Sequence, residues 1–160
     1  MITELEALNK EEQTLMLNTI PLITLLIAYA DGELDEQERT WSEKITEIRS
    51  YSNHESLIEY YEKVGDHYQD KLDHMIETLP KDNDQRMAEI SKRLSGLNSV
   101  LPKLDQVFAW RFYQGLLSFA KHVAKASGGF LGWSSISSSE EKVMGLEMIN
   151  PIVLEEEPEE

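Results

Sequence analysis

The sequence predicts an all-α protein, and three observations carry that reading. Apolar residues recur at steps of three and four through most of the chain, the period of one helix face. No run of alternating apolar residues is bounded by hairpin turns, as a half-buried strand would require. Capping and breaking residues, among them Asn9, Gly32, Asp35, Pro80 and Pro102, fall between the periodic segments. At 160 residues the chain is long enough for one domain with one substantial core. We read residues 1–152 as that domain, a single bundle of about six to seven helices, and residues 153–160 as an acidic disordered tail.

Met1 to Leu8 reads as a short helix or a frayed start. Asn9, with acids following it, caps a helix expected to run to Ala30. Its second half is apolar all round and belongs in the middle of a bundle. Pro21 lacks an amide hydrogen and predicts a kink near residues 17–21. Gly32 ends the helix, because glycine tolerates the left-handed conformation common just past a C-terminus. Asp35 and Glu38 then form a capping box opening a helix to about Ser50, with Trp41, Ile45 and Ile48 on one face. A long segment follows from Glu55 to Leu79, which Gly65 bends or divides. Pro80-Lys81-Asp82-Asn83 is a turn. A helix over Asp84–Leu101 is interrupted by Pro102, and Asp105 begins a long apolar helix to about Ala126. Ser127 to Ser135 is a Gly/Ser loop holding Phe130, Leu131 and Trp133, and a final helix is expected over Ser138–Ile149.

Composition narrows the function. The net charge of −15 repels phosphate backbones and anionic headgroups, which argues against nucleic-acid and membrane-surface partners. The absence of cysteine excludes disulfides, thiolate metal sites and cysteine nucleophiles. The most apolar window, Ile20–Ala30, is half the roughly 20 residues a bilayer span needs, and the first twelve residues lack a signal-peptide pattern. The cytoplasm is the expected compartment.

The chain is most distinctive at Asp31–Glu38, where five acids fall within eight residues. A degenerate copy lies further along. Ala28-x-Ala30-Asp31-Gly32 lines up with Ala124-x-Ala126-Ser127-Gly128, and Leu34–Glu38 with Ile136–Glu140. On Ala30-Asp31-Gly32-Glu33-Leu34-Asp35-x-x-Glu38 and the later Ile136-Ser137-x-x-Glu140-Glu141-Lys142, the chain resembles the TerB-like tellurite-resistance proteins. Their all-helical domain also occurs at the start of a membrane-anchored DnaJ-type co-chaperone. The resemblance implies a bundle in pseudo-symmetric halves, a non-enzymatic role tied to tellurite and other stress resistance, and acidic clusters associated with divalent cations. Ser127 and Ser137 replace the equivalents of Asp31 and Asp35 in the second copy, which breaks the symmetry of a two-loop metal site.

Three groups of residues carry functional readings. Helix capping explains Gly32, Asp35 and Glu38, whereas Asp31 and Glu33 crowd further carboxylates into one turn, which is unfavourable without a nearby cation. Asp31, Asp35 and Glu38, joined by Glu140, are the candidate ligands for calcium or magnesium, although the spacing is not that of an EF-hand. An exposed Arg or Lys would neutralise the same cluster without a metal. His67, Asp70 and His74 fall at helical spacing and would suit zinc or nickel, or else stand on a solvated face. Phe130, Leu131 and Trp133 either anchor a protein partner or fold back as a lid over the core.

The expected function is that of a cytoplasmic TerB-like adaptor acting on a protein partner, with a divalent cation at the first loop as an option. A metal-dependent enzyme using the loop acids or the His67/Asp70/His74 face is the alternative. A structural bundle that forms a homodimer through Phe130–Trp133 is a third.

Overall fold

A computed structural model of the chain describes residues 2–127 and 142–158. It is all-helical, with no strand among the described residues. The helices are α1 (Lys10–Ala30), α2 (Glu36–Arg49), α3 (Glu55–Gly65), α4 (Tyr68–Thr78), α5 (Asn83–Ser95), the single turn α6 (Leu97–Val100) and α7 (Gln106–Ser127). Short 3-10 turns at Thr3–Leu5 and Leu101–Lys103 complete the framework.

Helix α1 is the axis of the bundle. Asn9 and Glu12 cap it reciprocally, the Asn9 side chain accepting from the Glu12 amide at 2.8 Å and the Glu12 carboxylate from the Asn9 amide at 2.9 Å. Every residue from Ile20 to Tyr29 is buried, so the all-round apolar composition is met by helices on all sides. By length and composition α1 would also pass for a membrane span, but 67% of its most apolar window is buried inside the bundle. The helix runs unbroken through Pro21, which is itself buried. Helices α2, α3, α4, α5 and α7 all pack against it.

The segment predicted as one long stretch from Glu55 to Leu79 is divided. Helix α3 ends at Gly65, Asp66 is extended, and His67 turns the chain at φ 55° before α4 begins. Tyr60, Tyr61, Val64, Tyr68 and Leu72 carry the core across this break. Tyr60 meets Tyr61 and Phe112 edge-on, with ring centroids at 5.1 and 5.2 Å. The Tyr68 hydroxyl lies 2.8 Å from that of Thr24, in the middle of α1. Burial pushes the Tyr68 phenol up to about 12 and raises those of Tyr60 and Tyr61.

Two expectations are corrected. The inner face of α2 is Glu38, Ser42, Ile45 and Thr46, while Trp41 is 42% exposed and Ile48 only partly covered. Small side chains let α2 approach its neighbours closely: the Thr46 methyl sits 3.7 Å from where a Cβ on Gly65 would be. A Trp41 face would hold the helices apart. The helix predicted to reach Ile149 does not do so. Helical hydrogen bonding stops by Val143, and Leu146 adopts φ 49°. That turn lets Leu146 and Ile149, 0% and 1% exposed, both enter the core, and their burial outweighs continuing the helix. Asn98 holds the turn, its Nδ2 donating to the Met148 carbonyl at 2.9 Å and its Oδ1 accepting from the Asn150 amide at 2.7 Å. The chain then continues to Pro158 without helix or strand, with Ile152, Leu154 and Pro158 half-buried.

Candidate functional site

The acidic loop forms as its residues dictate. Gly32 sits at φ 94°, closing α1, with its amide donating to the Tyr29 carbonyl at 2.9 Å. Asp35 accepts from the Glu38 amide at 2.7 Å, and the Glu38 carboxylate accepts from the Asp35 amide at 3.2 Å. Glu38 is 2% exposed, whereas Asp31 and Glu33 face solvent. The cation beside this loop is an arginine. Arg86 of α5 stacks its guanidinium 3.5 Å above the Tyr29 ring, and its Nη2 donates to Asn83 Oδ1 at 2.7 Å and to the Gly32 carbonyl at 3.4 Å. Asn83 Nδ2 donates to the Tyr29 carbonyl, so α5 grips the end of α1 twice.

Among the described residues, no three of His, Asp and Glu converge into a group that could hold a metal ion. Glu140 lies outside the described residues, as do Phe130, Leu131 and Trp133. Asp35→Ala removes the cap acceptor of α2 and should lower stability by about 1 kcal/mol in urea denaturation, with Asp35→Asn close to wild type.

The histidine face is not assembled either. Spacings of three and four align residues only within a helix, and His67 is the left-handed residue before α4. His67 and Asp70 are 83% and 84% exposed in their side chains, with Nδ1 and Oδ2 3.8 Å apart. His74 lines a cleft of 650 Å³ between α1, α4 and α5 together with Asp70, Glu11, Lys71 and Arg93, and His67 is not part of it.

The structure points to a different surface, on α7. In a chain with 30 acids, the stretch from Gln106 to Ser127 contains none, and it carries Arg111, Lys121, His122 and Lys125. Phe108, Phe112, Leu116, Phe119 and Val123 turn into the core. Helical period therefore places Trp110, Arg111, Gln114, Ser118, Lys121, His122 and Lys125 along the outer face, none of them buried. Arg49, at the end of α2, reaches over to this face. Its Nη1 donates to the Tyr61 hydroxyl at 3.0 Å and the Gly115 carbonyl at 2.8 Å, and its Nη2 to Ser118 Oγ at 2.7 Å. All three acceptors are neutral.

Elsewhere arginine and lysine find carboxylates, as in Arg39–Asp73, Arg93–Glu89 and Lys103–Glu12. Among the described residues, neither Arg49 nor Arg111 has a carboxylate within ion-pair distance. Burial, and after it the charges of Arg49, Lys125 and Lys121, hold the His122 imidazole below its ordinary pKa. A cleft of 760 Å³ is lined by Arg49, Arg111, Trp110, Gly115, His54 and Leu57, with Glu157 at its side.

No family model, no curated protein and no solved structure matches the chain.

Nothing in those comparisons bears on the resemblance seen over residues 30–38. The α7 face stands on its own geometry: two guanidinium groups with no ion-paired carboxylate among the described residues, a tryptophan lining the same cleft, and a positive strip on a protein whose net charge is −15. Sequence reasoning passed over it because it looked for concentrated acids. The readable signal was their absence from 22 consecutive residues.

Proposed function

We propose that the chain is a non-catalytic interaction module that docks an acidic, extended segment of a partner protein in the cleft between α7 and the end of α2. The observation that carries this reading is the pair Arg49 and Arg111, both without a carboxylate among the described residues of an acidic protein. Guanidinium groups bind carboxylates bidentately, and a half-buried tryptophan supplies the apolar anchor common at interface hot spots. The overall negative charge does not prevent this. At physiological ionic strength charges beyond about 8 Å are screened, so a bound segment feels the local face and not the whole molecule. The TerB-like resemblance makes tellurite and other stress resistance the proposed setting, and the cytoplasm the proposed compartment.

The test is an NMR titration of the 15N-labelled chain with octaglutamate in about 0.1 M salt, where the Debye length is about 10 Å. Amide shifts should cluster at Trp110, Arg111, Gln114 and Ser118, leave residues 31–38 unmoved, and weaken at least tenfold in Arg111→Glu, the effect of about 1.4 kcal/mol. Shifts that are absent, or indifferent to Arg111→Glu, would remove the proposal.

A further inference from the structure

We propose that the cleft carries its own built-in occupant: the acidic segment Glu155–Pro158 of the same chain lies over it as a pseudo-ligand that a partner must displace. This rests on the docking reading above and adds its regulation. The path of the chain makes the case. Asn98 clamps Met148 and Asn150 beside the start of α7. Asn150, Pro151, Ile152 and Val153 then wall a groove with Leu104, Gln106 and Ala109, at the first turn of that helix. Five residues on, Glu157 and Pro158 line the 760 Å³ cleft together with Arg49, Trp110 and Arg111. The segment therefore tracks α7 from its N-terminal end toward the arginines.

Its burial fits an extended strip laid on a surface. Ile152 and Leu154 are half-buried, Val153 between them is 82% exposed, and Pro158 is half-buried again at the cleft. Three of the four residues from Glu155 to Pro158 are glutamate, and α7, which the segment follows, contains no acid. The contact is also loose. Among the described residues Glu157 makes no ion pair with Arg49 or Arg111, so Glu157 and Pro158 meet the cleft through a screened field and a proline, not a closed bidentate bridge. A tethered segment of this length has an effective concentration on the order of millimolar, which keeps a weak site filled yet lets a tighter segment replace it.

The experiment compares the wild-type chain with one carrying Glu155→Gln, Glu156→Gln, Glu157→Gln, Glu159→Gln and Glu160→Gln. These changes leave the helices untouched. The first readout is the Trp110 indole N–H shift, assigned with Trp110→Phe. It should differ between the two chains in about 0.05 M salt and converge near 1 M, where the Debye length falls to about 3 Å. The second is the affinity for fluorescein-labelled octaglutamate, which should be roughly tenfold tighter for the glutamine chain once the tethered competitor is gone. Identical Trp110 shifts and equal affinities in the two chains would overturn the built-in occupant while leaving the docking cleft in place. No binding to the glutamine chain, or binding that Arg111→Glu does not reduce, would overturn both.

Discussion

Raising the pH above 10 should unfold the protein steeply, at about 1.4 kcal/mol per pH unit for each phenol that stays protonated only in the folded state. Three tyrosines qualify. Tyr60, Tyr61 and Tyr68 are 0%, 1% and 1% exposed, and burial is the first cause raising each of their pKa values, Tyr68 to about 12. In the unfolded chain these phenols release their protons near pH 10. In the folded chain they hold them, since a phenolate at Tyr60 would lose its donation to the Met16 carbonyl and stand uncompensated in the core. Above pH 10 the unfolded state therefore binds fewer protons than the folded one, and stability declines as pH rises. Below 10 both states are protonated and these groups contribute no pH dependence. With all three acting together, the loss reaches about 3 kcal/mol between pH 10 and 11, because the unfolded phenols are only half ionised at pH 10, and that is a large share of a typical domain stability. Urea midpoints followed by circular dichroism across pH 9–12 measure it, and phenolate absorbance at 295 nm should appear together with unfolding. Tyr68→Phe should flatten the profile by roughly one third, because one of the three linked protons is gone. A stability that stays level from pH 10 to 11 would show that the tyrosine core is not closed as described.

How far the sequence could be read depends on which interactions decide each element. Helix ends decided by neighbours along the chain were legible: the Asn9–Glu12 and Asp35–Glu38 boxes and the left-handed Gly32 all form where expected. Breaks decided by the core were legible only in part. Gly65 marked where the Glu55–Leu79 segment divides, but Val64, Tyr68, Leu72 and Met75 continue a helical apolar rhythm across the Gly65–His67 break, so periodicity alone could not choose between a bend and a division. At Leu146 a left-handed backbone is adopted by a residue that disfavours it, because two apolar side chains gain burial together. Trp41 shows the same limit from the opposite side. Its size and spacing suggest core, yet α2 packs through Ser42 and Thr46, where close approach favours small side chains. Of the functional expectations for the acidic loop, the capping by Asp35 and Glu38 forms as read, while Arg86 lies beside the loop on the Tyr29 ring and the Gly32 carbonyl. The α7 face needed three dimensions, because Arg49 comes from 66 residues away to bond the Gly115 carbonyl.

Arg49→Met should cost about 3 kcal/mol of stability, and with it the docking of acidic segments. Hydrogen bonds from a charged donor contribute about 1.5–3 kcal/mol, and a buried acceptor left without its donor is penalised further. Arg49 serves three acceptors at once, of which the Tyr61 hydroxyl is the most deeply enclosed, and its guanidinium lies 5.5 and 5.7 Å from the Tyr61 and Phe119 ring centres. Methionine keeps the stem and the apolar packing but supplies no donor, so α2 loses its latch on α7. Lysine in the same place offers a point charge where three acceptors need a planar fork, and Arg49→Lys should recover only part of the loss. Thermal midpoints should fall by about 10 °C for the methionine variant, at roughly 2–4 °C per kcal/mol in a domain of this size. In a Tyr61→Phe background the same change should cost less, because no hydroxyl is then orphaned, and the difference measures the coupling directly. Three of the five guanidinium N–H groups are committed to Tyr61, Gly115 and Ser118, which leaves about two for a carboxylate arriving in the cleft. Arg111 makes no hydrogen bond among the described residues, so Arg111→Glu should weaken docking at least tenfold at nearly full stability. The two variants thus separate the latch from the docking site. If Arg49→Met were within 0.5 kcal/mol of wild type by urea denaturation, the latch would be disproved, and Arg49 would be a surface cation like any other.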